Sequence, residues 1–141
     1  MTNYTVLIAN GEFPNNEYCN DILSNNPEII CVDTDQKLIE KLDIQPKIIL
    51  GDLDTAKINK VNNNVRVIQL DNQNKTDLEK AFEFCLEEKI NEIVVLGATG
   101  QADDHNLANI LIAYQYSKKL NIELISNYFR IMFIKEKKII K

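Results

Sequence analysis

The sequence predicts an α/β fold of three layers, a mostly parallel, doubly wound sheet covered by helices on both faces. Two observations predict it. Short apolar runs recur without polar alternation, as in Thr5-Val6-Leu7-Ile8-Ala9 and Ile93-Val94-Val95-Leu96. Such runs suit strands buried on both sides. Stretches with helical spacing lie between them, and that alternation builds a parallel, Rossmann-like sheet. At 141 residues the chain has the length of one domain with a real core.

The elements follow in order. Thr5 to Ala9 forms the first strand and stops at the Asn10-Gly11 turn. Residues 17–24 read as a short helix, and Glu28-Ile29-Ile30-Cys31-Val32 is a second strand ending at Asp33. Residues 36–42 put Leu38, Ile39 and Leu42 at helical spacing. Pro46 then punctuates before the strand Ile48-Ile49-Leu50. Val65-Arg66-Val67-Ile68 is the fourth strand. Thr76-Asp77-Leu78-Glu79 opens a long helix with the spacing of a capping box. Its Leu78, Ala81, Phe82, Cys85 and Leu86 make one core-facing stripe. The fifth strand, Glu92 to Leu96, leads into Gly97, and a helix follows over about residues 105–119. Ile122-Glu123-Leu124-Ile125 and Arg130-Ile131-Met132-Phe133-Ile134 are the last strands. No internal repeat or low-complexity tract occurs; Asn62-Asn63-Asn64 reads as a polar loop.

Composition narrows the function classes. A net charge of −5 argues against nonspecific nucleic-acid binding, which needs a positive surface. Cys19, Cys31 and Cys85 are odd in number and contain no C-x-x-C pair, so they read as reduced packing cysteines. No signal-like segment begins the chain, and no apolar run reaches the length of a membrane span. We therefore expect a soluble, cytoplasmic protein with no membrane partner.

The chemistry concentrates in loops after strands. Gly51-Asp52-Leu53-Asp54-Thr55 puts two carboxylates two residues apart behind the third strand. In an open α/β sheet that end is where ligands bind. Two close anions raise each other's pKa unless a cation lies between them, and an oxygen-rich pair suits Mg²⁺ with phosphate oxygens. An acidic turn followed by a helix cap is the plainer alternative. Asn10-Gly11, Asp33, the 72–77 segment and Gly97-Ala98-Thr99-Gly100 follow the other strands. In a parallel sheet these five loops open on one crevice. Residues 97–100 offer small side chains and backbone N–H groups before a helix, a phosphate cradle or simply a tight turn. Asp104-His105-Asn106 also fits a plain helix start, and a single histidine gives no support for a histidine metal site.

In this order the motifs resemble those of the thiamine pyrophosphokinase family. Asn10-Gly11-x-x-Pro14 is similar to its Asn-Gly-x-x-Pro, and Val32-Asp33-Thr34-Asp35 stands at its Ala-Asp-Gly-Gly. The stretch from Pro46 through Gly51-Asp52-Leu53-Asp54-Thr55 resembles Pro-Asp-x-Ile-Ile-Gly-Asp-Phe-Asp-Ser. Gln73-Asn74-Lys75-Thr76-Asp77 resembles Gln-Asp-x-Thr-Asp. Residues 97–109 track Gly-Ala-Thr-Gly-Gly-Arg-x-Asp-His-x-Leu-Ala-Asn.

The resemblance implies transfer of a pyrophosphoryl group from ATP to thiamine, giving thiamine diphosphate and AMP. It implies Mg²⁺ or Mn²⁺ held by Asp52, Asp54 and Asp77, with Asp33 and Asp104 completing the catalytic acids. Asn10, Gly51, Thr55, Gln73, Thr76, Gly97, Thr99, Gly100, Asn106 and Asn109 are then the candidate ATP contacts. It also implies a homodimer. Residues 1–126 would be the nucleotide- and metal-binding catalytic unit. Residues 127–141 would be a C-terminal strand, the remnant or start of a β-rich thiamine-binding domain. The chain departs from the pattern in places: Thr34-Asp35 replace two glycines, Asn74 replaces an acid, and Gln101-Ala102 replace Gly-Arg. These departures and the missing second domain predict impaired turnover. The alternative is a degenerate, non-catalytic nucleotide-binding or partner-binding domain. A phosphoacceptor receiver domain is the other rival, but it wants an acidic pair where this chain has Asn10-Gly11.

Overall fold

Each apolar run becomes a strand, because residues with branched or leucine side chains fill both faces of a pleated ribbon at once. The computed structural model describes residues 3–25, 27–34, 36–51, 65–70, 74–100 and 102–134. Within them the strands are β1 (Thr5–Ile8), β2 (Glu28–Val32), β3 (Ile48–Gly51), β4 (Arg66–Gln69), β5 (Glu92–Leu96), β6 (Asn121–Ile125) and β7 (Arg130–Met132). The helices are α1 (Glu17–Ser24), α2 (Gln36–Leu42), α3 (Asp77–Glu87) and α4 (Asp103–Tyr116).

One mixed, mostly parallel sheet of seven strands runs β4-β3-β2-β1-β5-β6-β7. Every neighbouring pair is parallel except β6 and β7, which are antiparallel. β1 lies at the centre, with Val6 opposite both Ile29 of β2 and Val94 of β5. From β1 the chain steps outward to β4, then returns to β5 on the other side and steps out again.

Alternation along the strands sends side chains into two cores. Leu7, Ile30, Leu50, Val95 and Leu124 pack with Phe82 and Cys85 of α3 and Ala113 of α4. Val6, Ile8, Cys31, Ile49 and Leu96 pack with Cys19 and Ile22 of α1 and Ile39 of α2. The outermost strands carry less of this burden: Val67 and Ile68 of β4 are only half-buried.

Local chemistry sets the helix starts. Asn16 Oδ1 accepts from the Cys19 N–H at 2.8 Å and caps α1. At α3, Thr76 Oγ1 accepts from the Glu79 N–H (3.2 Å) while Glu79 Oε1 accepts from the Thr76 N–H (3.1 Å), the expected capping box. α4 begins at Asp103 and stops at Tyr116, short of the 119 expected from the pattern. There Ser117 Oγ donates to the Tyr114 carbonyl, and the Leu120 N–H turns back to Tyr116. That turn drives the buried Leu120 into the core before β6.

β7 holds its place through a buried charge. Glu123 of β6, 7 % exposed, accepts from the Tyr18 hydroxyl of α1 at 3.0 Å and from Arg130 Nε of β7. The Arg130 guanidinium also lies 5.0 Å from the Tyr18 ring centre. A buried carboxylate is tolerable only when paired in this way.

Candidate functional site at the carboxyl edge of the sheet

The parallel pairing of β1 to β5 brings their carboxyl ends to one edge. Two of the loops there are zipped together by backbone bonds. Ala9, Gly11 and Glu12 donate their N–H groups to the carbonyls of Leu96 (2.8 Å), Gly97 (2.6 Å) and Thr99 (3.0 Å). The approach is so close that a Cβ on Gly11 would sit 2.3 Å from the Gly97 oxygen and 2.6 Å from the Thr99 oxygen. Only glycine fits. Gly97 itself has φ +79°, the left-handed region that glycine adopts without strain.

The α4 side braces the same loop. Asn109 Nδ2 donates to the Ala98 carbonyl at 2.7 Å, so its amide holds residues 97–100 in place. The carbonyls of Gly97, Ala98 and Thr99 are thus all engaged within the protein. Planar trans peptides turn the N–H groups of Ala98, Thr99 and Gly100 away from those carbonyls. α4 adds further donors: Ala102 at its N-cap makes no side-chain bond to the first turn. In that turn Asp104 is exposed, and its Oδ1 accepts from the His105 N–H at 2.9 Å.

Asp33 follows β2 with φ +49°, a left-handed turn that aspartate tolerates better than most residues. Its N–H donates to the Leu50 carbonyl of β3 at 2.8 Å. The neighbouring Thr34 is buried and donates its hydroxyl to the Ile8 carbonyl at 2.8 Å. The bulk that Thr34 introduces therefore lies inside, where it ties β1 to β2. Gly51 ends β3 buried, and its carbonyl accepts from the Leu70 N–H at 2.8 Å.

Asp77 opens α3 half-exposed, with Oδ1 3.8 Å from Lys80 Nζ. Lys75 is turned from the edge to α3's flank, where its ammonium donates to Glu83. That bond pushes the Lys75 pKa up and holds the Glu83 carboxyl below its usual range. Asp52, Asp54, Thr55, Gln73 and Gln101 lie outside the described residues. Among the described residues no three acidic, histidine or cysteine side chains converge on a metal position. The described members of the expected cluster are therefore Asp77, with Asp33 and Asp104 at the same edge.

A cleft of about 140 Å³ opens at this edge, lined by Glu12, Thr99, Gly100, Asn106, Asn127 and Phe129 among others. The turn after β6 belongs to it, although sequence reasoning did not include that loop. The signal was available, because β6 is itself parallel to β5 and must deliver its carboxyl end here. Asn127 secures the turn: its Nδ2 donates to Glu12 Oε1 (2.7 Å) and its Oδ1 accepts from the Asn15 N–H (2.6 Å). A larger depression, about 500 Å³, lies at the opposite edge around Tyr4, Thr5, Glu28 and Glu92. It is shallow, and none of the loops carrying the motif acids borders it, so size alone does not locate the chemistry.

All three cysteines are free and buried. Burial pushes Cys19 up to about 11 and Cys31 and Cys85 up to about 12, which keeps them protonated. No helix among the described residues is long and apolar enough to cross a membrane.

Comparison with known proteins identifies the family. Residues 19–125 match the model of the thiamin pyrophosphokinase catalytic domain. The chain belongs to that family. It is 35% identical over 71 residues to thiamin pyrophosphokinase 1 of Caenorhabditis elegans, a match covering 46% of this chain and 29% of the relative. The thiamine pyrophosphokinase structure from Bacillus subtilis superposes with a TM-score of 0.66 at 27% identity, covering 86% of this chain and 60% of that one. The Geobacillus thermodenitrificans family member has a TM-score of 0.68 at 20% identity, with 86% and 59% covered. The Candida albicans one has a TM-score of 0.66 at 16% identity, with 88% and 58% covered, which carries the fold alone. The chain thus spans about 60% of the solved family members and under a third of the curated relative.

Proposed function

We propose that the chain performs the family reaction, transferring a pyrophosphoryl group from ATP to thiamine and releasing AMP. What supports this reading is topology: Asp33, Asp77, Asp104 and the braced 97–100 loop all follow the carboxyl ends of parallel strands and so belong to one edge of the sheet. Its support is the family match over residues 19–125. We also read the architecture as three-layer and doubly wound, Rossmann-like, with its switch point between β1 and β5. The reversal of strand order there and the two separate cores support it.

The thiamine hydroxyl oxygen attacks the β-phosphorus, the bond from that phosphorus to the α,β-bridging oxygen breaks, and AMP leaves with the bond's electrons. The hydroxyl proton passes to a carboxylate, Asp33 or Asp104. N–H groups of residues 97–100 and of the uncapped first turn of α4 hold phosphate oxygens. Asn10, Thr55, Gln73, Thr76, Asn106 and Asn109 border the nucleotide, Thr76 and Asn109 also serving as cap and brace. The all-oxygen set Asp52, Asp54 and Asp77 fits Mg²⁺ or Mn²⁺, and Asp77 is half-exposed as a ligand must be. Such an ion supplies charge neutralisation for the phosphates. We further propose a cytoplasmic homodimer.

AMP formation tests the reading. AMP should appear from Mg²⁺–ATP only when thiamine is present, and Asp77→Asn should lower it about 10²-fold, the scale of losing one preorganised charge contact. Mg²⁺–ATP should also bind more weakly to Asp52→Asn by titration calorimetry. ATP binding without thiamine-dependent AMP would move the chain to the degenerate, binding-only reading, which Ala102 in place of the family arginine favours.

A further inference from the structure

Among the ion pairs of the described residues, Lys80 is the most buried cation and sits in the loosest pair. Its side chain is 11% exposed, against 34–62% for Lys47, Arg66, Lys75 and Arg130. Those four reach their carboxylates within hydrogen-bond distance. Lys80 Nζ instead stands 3.8 Å from Asp77 Oδ1, too far for a hydrogen bond. An ammonium carries three donors, and burying it is costly unless they find acceptors. Asp77 at that distance cannot satisfy them.

The fold accounts for both the burial and the aim. Lys80 lines the groove between β4 and α3 together with Ile68, Leu70 and Phe84. A long aliphatic stem suits such an apolar wall, leaving the charged head at its end. Helical side chains lean toward the N-terminus of their helix, so Lys80 runs back over the turn that Asp77 opens. Leu70, just past the carboxyl end of β4, shares that groove. The ammonium is thus delivered to the edge where the motif acids lie. That edge is short of cations: Ala102 stands where the family has arginine, and Lys75 is engaged with Glu83.

We propose that Lys80 is a place-holder for the metal at Asp77 and a phosphate-binding residue for the nucleotide. In the metal-free protein its ammonium balances the Asp77 carboxylate. When a divalent ion takes that carboxylate, the ammonium turns to a phosphate oxygen. The inference rests on the metal and nucleotide reading given above and adds a residue to it. Thiamine and the transfer step do not enter.

Mn²⁺ titration followed by electron paramagnetic resonance, and calorimetry with Mg²⁺–ATP, test it on the full chain. Lys80→Met keeps an unbranched stem and removes the charge. It should bind Mn²⁺ alone about fivefold more tightly, the scale of one partly exposed charge pair. It should bind Mg²⁺–ATP about tenfold more weakly, the scale of one charge-assisted hydrogen bond. Lys80→Arg should bring both affinities back toward wild type. Lys47→Met makes the same charge change at the opposite edge of the sheet and should move neither. In an Asp77→Asn background, Lys80→Met should no longer tighten Mn²⁺. A packing role alone would lower thermal stability without moving the two affinities in opposite directions. Unchanged Mn²⁺ affinity in Lys80→Met, Mg²⁺–ATP bound as tightly as by wild type, or equal shifts from Lys47→Met would each overturn the proposal. Absence of Mn²⁺ binding in wild type and variant alike would overturn it together with the metal reading, so the two failures are told apart. Absence of thiamine-dependent AMP would leave all these outcomes unchanged.

Discussion

α3 and α4 lie side by side on one face of the sheet, yet their outer surfaces have little in common. α3 is finished by its own side chains. Its inner stripe buries Leu78, Ala81, Phe82 and Cys85, its N-terminus is capped on both sides, and Lys75 and Lys80 pair with Glu83 and Asp77. α4 has no side-chain cap, and it shows leucine and tyrosine to solvent. The difference teaches that burial of one face is enough to fix a helix whose cap and outer face contribute little. Burial on the inner side holds α4 against the sheet, while its first turn lacks a side-chain cap and its outer face stays apolar and exposed.

The largest expected effect separates the two inner and outer surfaces. Phe82→Ala should cost about 3–5 kcal/mol, because the ring is fully buried and packs against Tyr116 with centroids 5.4 Å apart. Leu111→Ala should stay within about 0.5 kcal/mol in dilute solution, where its face is in water. Urea unfolding measures both, and a Leu111 cost near that of Phe82 would show that the α4 outer face is covered within one chain.

The caps provide a second contrast. Thr76→Ala should destabilise by about 1 kcal/mol through loss of the box. Ala102→Ser should instead stabilise by roughly 0.5–1 kcal/mol by capping an open turn. If the uncapped turn serves phosphate, the same variant should bind Mg²⁺–ATP more weakly in calorimetry, so stability and affinity would move in opposite directions.

Alkaline pH should act on α3 through Cys85. Its folded thiol is pushed up to about 12 by burial, against 9.0 for an ordinary thiol. Between those values the unfolded chain loses a proton that the folded chain keeps, so stability is full below pH 9 and falls as pH rises through the window. Cys85→Ala should flatten that fall in urea midpoints, after allowance for its lower starting stability. The smallest effect belongs to Glu83, whose carboxyl is held below its usual range by the bond from Lys75. Its contribution is present at neutral pH and lost on acidification, so Glu83→Gln should slightly flatten the acid limb of the same curve.

Much of the fold could be read from side-chain pattern, for a physical reason. Strands buried on both sides are mostly apolar, and the runs at Thr5, Glu28, Ile48 and Glu92 admit little else. The α3 start was equally legible, since Thr76 and Glu79 act over one turn. Boundaries governed by longer range were harder. α4 stops at Tyr116 because Leu120 must reach the core, and the sequence between them is compatible with more helix. At the site, the position of Asp33, Asp77 and residues 97–100 followed from strand polarity. The inward turn of Thr34, the diversion of Lys75 to Glu83 and the share of the β6–β7 turn in the cleft did not. Each depends on a partner from another element, which local spacing does not name.

The zip between residues 9–12 and 96–100 has a consequence for the order of folding. β1 can pair with β2 as soon as both exist, but its other edge waits for β5. Gly11 and Glu12 find their acceptors only when Gly97 and Thr99 arrive, so closing this loop carries a large entropy cost. Contacts of such high sequence separation form slowly. On a ribosome the first half of the sheet would emerge with its central edge bare, and the crevice would take shape only once the second half had docked.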